Sequence, residues 1–532
     1  MRTVIFGVDG LTFRIIGPLI ERGELPNFKK LRDEGCEAIL ESKYPPLTPP
    51  AWTSLSTGLK PARHGVYDYW IYADEQNERK RGVTRGVHVQ TQRRAEKAIW
   101  NILSEYGKQV LVINVPATYP PEVVNGYMVS GYLTPSTDLD FTYPSSFKEE
   151  LFKVAPQYQL VPGPEYESLR LKLQVGPMVD VLMRITEQRT QLIMHMLKEK
   201  PWDFCYLAYI CSDRLQHQLW EEAIALDPRT NRYYKMLDDA LGEILALLGP
   251  DDNLFLVSDH GFRGHNSYFD INEYLVSKGL LTLDPKVQAA RKKAGHASSL
   301  KRLANQLGLR PLARKLKRSL KAAGVWENAD IDASRPLLED IDWDNTLAHV
   351  PSFSGFQGGY ADVFLSPDMT DKQVAELCAD LKRQKDPKNG KPLIDAIYTT
   401  EVFGEGQFAP REPRLLLLAQ EGVTFRMELG NERIWEDIGK TFGSHHKDGV
   451  LYAYGAGFKR GYKAANAEIF DLVPTLLSSM HLPFPYTFDG RVLDELFVEQ
   501  KHAEQGLVGA GKSAEGGDGG LTRRKLKKIL DK

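Results

Sequence analysis

The sequence predicts an α/β fold in which a mostly parallel central sheet is flanked by helices. Three observations predict it. Short apolar runs rich in β-branched and aromatic residues recur along the chain, amphipathic stretches separate them, and three of the runs end on an aspartate. A strand that is apolar on both faces is buried on both faces, which is the situation of a parallel sheet between helical layers.

Taken in order, TVIFGVD (residues 3–9) is a strand ending at Asp9, and TPPAWTSLSTG (48–58) begins a helix-compatible run behind two prolines. QVLVINVP (109–116) and FCYLAYICSD (204–213) are further strands, the second leading into a segment with His217 four residues after Asp213. NLFLVSDHG (253–261) and GVLYAYG (449–455) complete the set. Between the last two the texture changes, because from Lys286 to Lys321 there are twelve Lys or Arg residues and no Asp or Glu. Leu300, Leu303, Leu307 and Leu316 give that stretch a partial helical period. The expected organisation is a catalytic α/β core over 1–265 and 351–498, interrupted by a basic helical insertion or cap over 266–350. A flexible Gly/Ser/Ala linker over 499–520 and a basic tail over 521–532 follow.

A chain of 532 residues, 42% hydrophobic and 26% charged, can bury a large core as one domain with insertions or as two domains. Its formal net charge of −2 creates no global field that demands nucleic acid or an anionic membrane. Cys36, Cys205, Cys211 and Cys378 form no CxxC pair or disulfide framework, which fits a reducing compartment, and Cys205 and Cys211 are expected in or near a strand. The amino terminus lacks the apolar run and small-residue cleavage site of a signal peptide, and no apolar stretch approaches the roughly 20 residues of a membrane span. A cytoplasmic location is expected. The Lys286–Lys321 run and the tail LTRRKLKKILDK leave open a peripheral contact with an anionic membrane surface, while a plainly solvated helical face is the simpler reading of the run. No specific nucleic acid partner is expected, and oligomeric state leaves no mark on the sequence.

Asp9, Asp213 and Asp259 each close an apolar run, and in an open parallel sheet such ends gather on one rim. Three carboxylates brought together repel one another, so either their pKa values rise or a cation joins them. His217 would share a helical face with Asp213, and His260 directly follows Asp259. Aspartate with histidine suits Zn²⁺, and a carboxylate-rich site also accepts Mn²⁺. Thr48, followed by Pro49 and Pro50, is expected as a helix N-cap whose hydroxyl faces free amides and the positive helix end. Near neutral pH a threonine needs strong help to become a nucleophile, and metal coordination supplies it without a histidine base. Singly, each of these features has an ordinary explanation as a cap, a turn or a helical ion pair; it is their joint occurrence that points to a metal site.

The segments FGVDGLTF, LPNFKKLRDEG, TPPAWTSLSTGLKPARHGV, CSDRLQH, VSDHGF, GSHHKDGVLYAYGAG and DLVPTLLSSMHLPFPYTFDGRVL occur in that order. Together they resemble the type I phosphodiesterase and nucleotide pyrophosphatase branch of the alkaline phosphatase superfamily, and more closely its bacterial and archaeal predicted phosphohydrolase or phosphomutase proteins. The resemblance spans nearly all of residues 4–497 apart from the insertion. It implies an alkaline-phosphatase-like sheet and two divalent ions, one held by Asp213, His217 and His445, the other by Asp9, Thr48, Asp259 and His260. It further implies Thr48 as the nucleophile, a phosphothreonine intermediate, and a phosphorylated small-molecule or lipid-like substrate.

Within that pattern, the choice of His445 over His446 follows the family's spacing to Asp448. His446 is expected to point away from the ions, and His64 to hold a loop. Two departures stand out. Ala51 occupies the place where nucleotide pyrophosphatases carry a phosphate-contacting asparagine, which leaves Asn114, after its own strand, as the candidate substrate contact. No counterpart to the arginine of the monoester-cleaving alkaline phosphatases stands beside Thr48, which tilts the expectation towards phosphodiesters. The alternatives are a phosphomutase or phosphoryl transferase on the same fold, and a non-catalytic binding protein. A sulfatase is disfavoured because the Cys/Ser-x-Pro-x-Arg pattern is missing.

Overall fold

The computed structural model describes residues 1–42, 45–71, 87–88, 90–91, 94–288, 340–350, 359–409, 414–427, 429 and 433–499. At its centre is a ten-stranded sheet. Five strands run parallel in the spatial order Asn253–Val257, Thr3–Val8, Phe204–Tyr209, Val110–Ile113, Gly126–Val129. Every residue of Thr3–Val8, Phe204–Tyr209 and Asn253–Val257 is buried, which explains why their sequences lack a polar alternation. Asp448–Tyr454, the GVLYAYG run, also joins this sheet but runs antiparallel to both Asn253–Val257 and Cys36–Glu41.

The alternation of strand side chains splits the apolar residues between two layers. Val4, Phe6 and Val8 pack with Leu207 and Leu256 on one face, under the helices Val175–Glu199, Cys211–Ile224 and Pro228–Leu245. Ile5 packs with Tyr206 and Phe255 on the other, under Thr48–Thr57, Ile99–Glu105 and Leu472–Ser479. All four cysteines are free and buried, Cys205 within a strand and Cys211 at the start of the helix that follows it. Among the described residues, no helix is long and apolar enough to cross a membrane.

A separate core forms around Phe269, Tyr274, Val363, Leu365, Leu415, Leu417 and Phe425. It contains a four-stranded antiparallel sheet, ordered Ala348–His349, Tyr360–Leu365, Arg414–Ala419, Ile394–Thr399, together with the helix Asp371–Arg383. This core reaches from residue 269 to 425 and beyond, so the part of the chain outside the central sheet is wider than 266–350. The described portion of 266–350 is also not purely helical: it holds the end of the strand Gly261–Asp270, the helix Ile271–Ser277 and the strand Ala348–His349. The strand Gly261–Asp270 departs from the rim of the central sheet and pairs antiparallel with Trp435–His446, so that a ribbon connects the two cores. The basic run beyond residue 288 and the chain from residue 500 onward lie outside the described residues.

Candidate metal centre

Because the central strands are parallel, the residues that follow them arrive on one rim. Asp9 comes directly after Val8, its amide donating to the Tyr209 carbonyl at 2.8 Å. Asp259 stands two residues beyond Val257. Phe204–Tyr209 passes into the helix Cys211–Ile224, which carries Asp213 in its first turn and His217 one turn later. His445 comes from the ribbon, where it faces Phe262 across the strand pair.

These residues assemble as two adjoining triads, Asp213–His217–His445 and Asp9–Asp259–His260, each with its donor atoms within 4.8 Å of one another. In the first, Asp213 Oδ1 lies 3.2 Å from His217 Nε2 and 3.1 Å from His445 Nε2, and the two Nε2 atoms are 2.9 Å apart. In the second, His260 Nε2 lies 3.3 Å from Asp259 Oδ2 and 3.5 Å from Asp9 Oδ1. The stacked rings of His260 and His445, with centroids 3.7 Å apart, join the two groups.

The hydrogen bonds around the triads define what the inner atoms can do. Each histidine places Nδ1 against a backbone carbonyl: His217 on Gly443 at 3.1 Å, His260 on Gly261 at 3.1 Å and His445 on Pro46 at 2.8 Å. A carbonyl only accepts, so each Nδ1 carries a proton and each Nε2 faces inward, where it can ligate a metal once unprotonated. Two such nitrogens 2.9 Å apart, beside a carboxylate, suit a shared cation. In the second triad Asp9 Oδ1, Asp259 Oδ2 and His260 Nε2 are buried with no hydrogen-bond partner, whereas buried polar atoms ordinarily have one. The donor set and these orphaned atoms fit a pair of divalent ions.

The electrostatics agree. Burial, followed by the charges of Asp259 and Asp213, holds the Asp9 carboxyl well above the ordinary carboxylate range. Burial likewise raises Asp259, with Asp213 adding to it. Burial also pushes Asp213 upward, but His217 and His445 outweigh it and hold that carboxyl well below its usual value. Burial keeps His260 and His445 neutral, in the form that ligates metals.

Two glycines make the rim possible. A Cβ at Gly7 would sit 2.5 Å from the Trp52 ring, so the missing side chain lets the indole lie against the strand and donate from Nε1 to Asp9 Oδ2 at 3.3 Å. Gly10 has φ +71°, a value glycine adopts freely, and its amide donates to Asp259 Oδ1 at 3.1 Å.

Thr48 departs from its expected cap position. Leu47 is the N-cap, and Thr48 is the first residue of the helix Thr48–Thr57, without a capping hydrogen bond. The free amides anticipated there are largely missing: Pro49 and Pro50 have none, and the Ala51 amide donates to the Leu47 carbonyl at 3.0 Å. Thr48 nevertheless lies in a segment that contacts both triads. Two residues before it the Pro46 carbonyl accepts from His445, four residues after it Trp52 donates to Asp9, and its own Oγ1 accepts from the Tyr69 hydroxyl at 3.3 Å.

Asn114, the candidate substrate contact, is engaged with its neighbouring loops. It does lie at a strand end, but its φ is 61°, and its amide nitrogen donates to the Ser130 carbonyl at 3.4 Å and to the Tyr158 hydroxyl. That fully buried amide nitrogen braces the neighbouring loops, while Oδ1 has no hydrogen-bond partner. His64 is structural as expected: burial lowers its pKa to about 3, Nδ1 accepts from the Val66 amide at 3.1 Å, and Nε2 lies 3.0 Å from Ser54 Oγ. His446, next along the strand from His445, pairs with Asp448 at 3.5 Å.

Three residues near the triads escaped the sequence reading. Trp52 and Tyr69 carry no motif of their own. Arg214 was in plain view inside CSDRLQH, one residue after Asp213. A polar cavity of about 470 Å³ opens beside His217 and Arg214, with Arg170, Gln218, His265 and Tyr268 also in its wall.

The profile of the type I phosphodiesterase / nucleotide pyrophosphatase family matches residues 3–450. The chain belongs to that family. It is therefore a hydrolase of the alkaline phosphatase superfamily, with an α/β fold to match. Similar solved structures include an inactive variant of murine ectonucleotide pyrophosphatase / phosphodiesterase 5 in complex with AMP, at 12% identity and TM-score 0.53, covering 93% of this chain and 100% of that one. Phosphonoacetate hydrolase from Sinorhizobium meliloti in complex with phosphonoacetate is also similar, at 14% identity and TM-score 0.53, covering 89% of this chain and 94% of that one. At such identities the likeness concerns the fold. No curated protein matches the chain.

Proposed function

We propose that this family member is a metal-dependent phosphohydrolase that cleaves a phosphate ester through a phosphothreonine formed at Thr48. The observation that carries the reading is the placement of Thr48 in a segment tied to one triad through Pro46 and His445 and to the other through Trp52 and Asp9. Asp213, His217 and His445 would hold one divalent ion, and Asp9, Asp259 and His260 with Thr48 the other, with Zn²⁺ the first choice and Mn²⁺ the second. Such ions, when bound, supply Lewis acidity to the phosphoryl oxygens and favour the threonine alkoxide.

Thr48 Oγ1 attacks phosphorus, the ester P–O bond breaks, and the departing alkoxide takes up a proton as the alcohol. Water then attacks the phosphothreonine, inorganic phosphate leaves from a monoester or a phosphate monoester from a diester, and a proton returns to Thr48. Tyr69 steadies the Thr48 oxygen, since burial holds its phenol well above the ordinary value and so keeps it a donor. The enzyme is expected to act in the cytoplasm on a phosphorylated small molecule or lipid-like compound.

Thr48→Ala should abolish turnover of p-nitrophenyl phosphate and bis-p-nitrophenyl phosphate while two ions per chain are retained. Acid-quenched wild-type enzyme should carry phosphate on Thr48 by mass spectrometry. Full activity in Thr48→Ala would overturn the assignment.

A further inference from the structure

Among the described residues, neither the positions that directly follow Thr48 nor Asn114 offers the phosphoryl group an orienting donor. Ala51 is apolar, Pro49 and Pro50 lack amides, and Asn114 is engaged elsewhere. Arg214 borders both the first triad and the open cavity. Arg214 Nε is 3.9 Å from Asp213 Oδ2, and its guanidinium lies 5.2 Å from the centre of the Tyr132 ring. Tyr132 in turn meets the Tyr69 ring edge-on at 6.2 Å, and the Tyr69 hydroxyl reaches Thr48 Oγ1. The Arg214 side chain, 23% exposed, borders the 470 Å³ cavity, where a ligand can reach it.

We propose that Arg214 seats the non-bridging oxygens of the reacting phosphoryl group while Tyr69 holds the attacking Thr48 oxygen, and that Arg214 biases the site towards a doubly charged phosphate monoester. The proposal rests on the phosphohydrolase reading and supplies its substrate class. Two divalent ions are offset by Asp9, Asp213, Asp259 and the Thr48 alkoxide, leaving the site neutral, and the single positive charge of Arg214 attracts a dianionic monoester about twice as strongly as a monoanionic diester at equal distance. A guanidinium forks onto two oxygens of one phosphate, and a monoester offers more free, more highly charged oxygens than a diester. The tilt towards diesters rested on there being no arginine beside Thr48 in the sequence, whereas the fold sets Arg214 against Asp213 and the cavity from another element. The cavity beyond it, walled by Gln218, His265 and Tyr268, takes the leaving group. His265 is almost fully buried and neutral, with Nδ1 unpartnered.

The test compares wild type, Arg214→Ala, Arg214→Lys and Tyr69→Phe, all loaded with metal, on p-nitrophenyl phosphate and bis-p-nitrophenyl phosphate. Inorganic phosphate binding is measured alongside by calorimetry. Arg214→Ala should lose roughly a hundredfold in kcat/KM on the monoester and less than about tenfold on the diester. Its phosphate affinity should fall at least about tenfold with metal content unchanged. Arg214→Lys, which keeps the charge and loses the fork, should fall between, and serves if the alanine variant does not fold. Tyr69→Phe should slow both esters.

Equal losses on the two esters, or undiminished phosphate affinity in metal-replete Arg214→Ala, would overturn the proposal. So would loss of metal or of melting temperature as its only effect, because Arg214 would then merely be bracing Asp213. A metal-loaded wild type that cleaves neither ester and forms no phosphothreonine would instead count against the phosphohydrolase reading; phosphate binding would still report on the seat.

Discussion

His445 and His446 are adjacent in the sequence and opposite in task. Neighbouring residues of a strand point to opposite faces, so only one of the pair can look into the triads, and the pairing of His445 with Phe262 decides which. His445→Ala should therefore lose one of two ions per chain by elemental analysis, and His446→Ala should retain both; equal loss would contradict the ligand set. The carboxyls allow a second prediction. Asp9 and Asp259 are held above their ordinary value, about 4, in the metal-free fold, so they keep protons that an incoming ion must expel. Metal affinity should then weaken as pH falls through that raised range, with protons released on binding. Calorimetry in buffers of different ionisation enthalpy measures the release, and Asp9→Asn should reduce it. The histidines add little, since burial already keeps His260 and His445 neutral. Strand-end aspartates were legible because an apolar run ending in Asp carries its own geometry. Asn114 follows the same rule, yet its backbone turns to φ 61° and Tyr158 captures its amide nitrogen, contacts between segments with no sequence signature. Arg214 was visible but mute until the fold set it near Tyr69.

At the scale of elements, the helix Thr48–Thr57 shows how much depends on one missing side chain. All ten of its residues are buried, so it has no solvent face, and its position is set by packing on the sheet, where Trp52 lies over Gly7. A methyl group at Gly7 would meet the indole at 2.5 Å and the Leu207 carbonyl at 2.9 Å, neither of which can retreat cheaply. Gly7→Ala should therefore cost about 1–3 kcal/mol by overpacking. It should also draw Trp52 away from Asp9 and lower turnover beyond what the stability loss explains. Denaturant midpoints and tryptophan fluorescence test this, and a variant as stable and active as wild type would show that the helix is not seated as described. The two prolines made the helix start legible, to within one residue. The register that sets Trp52 over Gly7 was not, because it is fixed by the sheet beneath.

At the scale of the molecule, the centre gathers residues from Asp9 to His445, and the sequence showed the parallel sheet far better than the second core. The sheet announces itself through fully apolar strands, while Tyr360–Leu365 and Ile394–Thr399 include partly exposed positions and pair antiparallel within a separate core. The two cores are coupled through the ribbon of Gly261–Asp270 and Trp435–His446, whose rim end leaves His260 and carries His445. Each of these histidines belongs to a different triad, so ions bound there would tie the ribbon to the central sheet at two points. An ion at a hundred times its dissociation constant adds about 2.7 kcal/mol to the folded state. That contribution should be felt most where the ligands are otherwise least anchored, because the strand-borne Asp9 and Asp259 are fixed by the sheet whether or not metal is present. Chelation should accordingly lower the melting temperature and speed hydrogen exchange of the amides of 261–265 and 442–446. The amides of Thr3–Val8 and Phe204–Tyr209 should stay protected until global unfolding. Exchange that rises equally in the ribbon and in the central strands, or in neither, would mean that the ions do not fasten the two cores together.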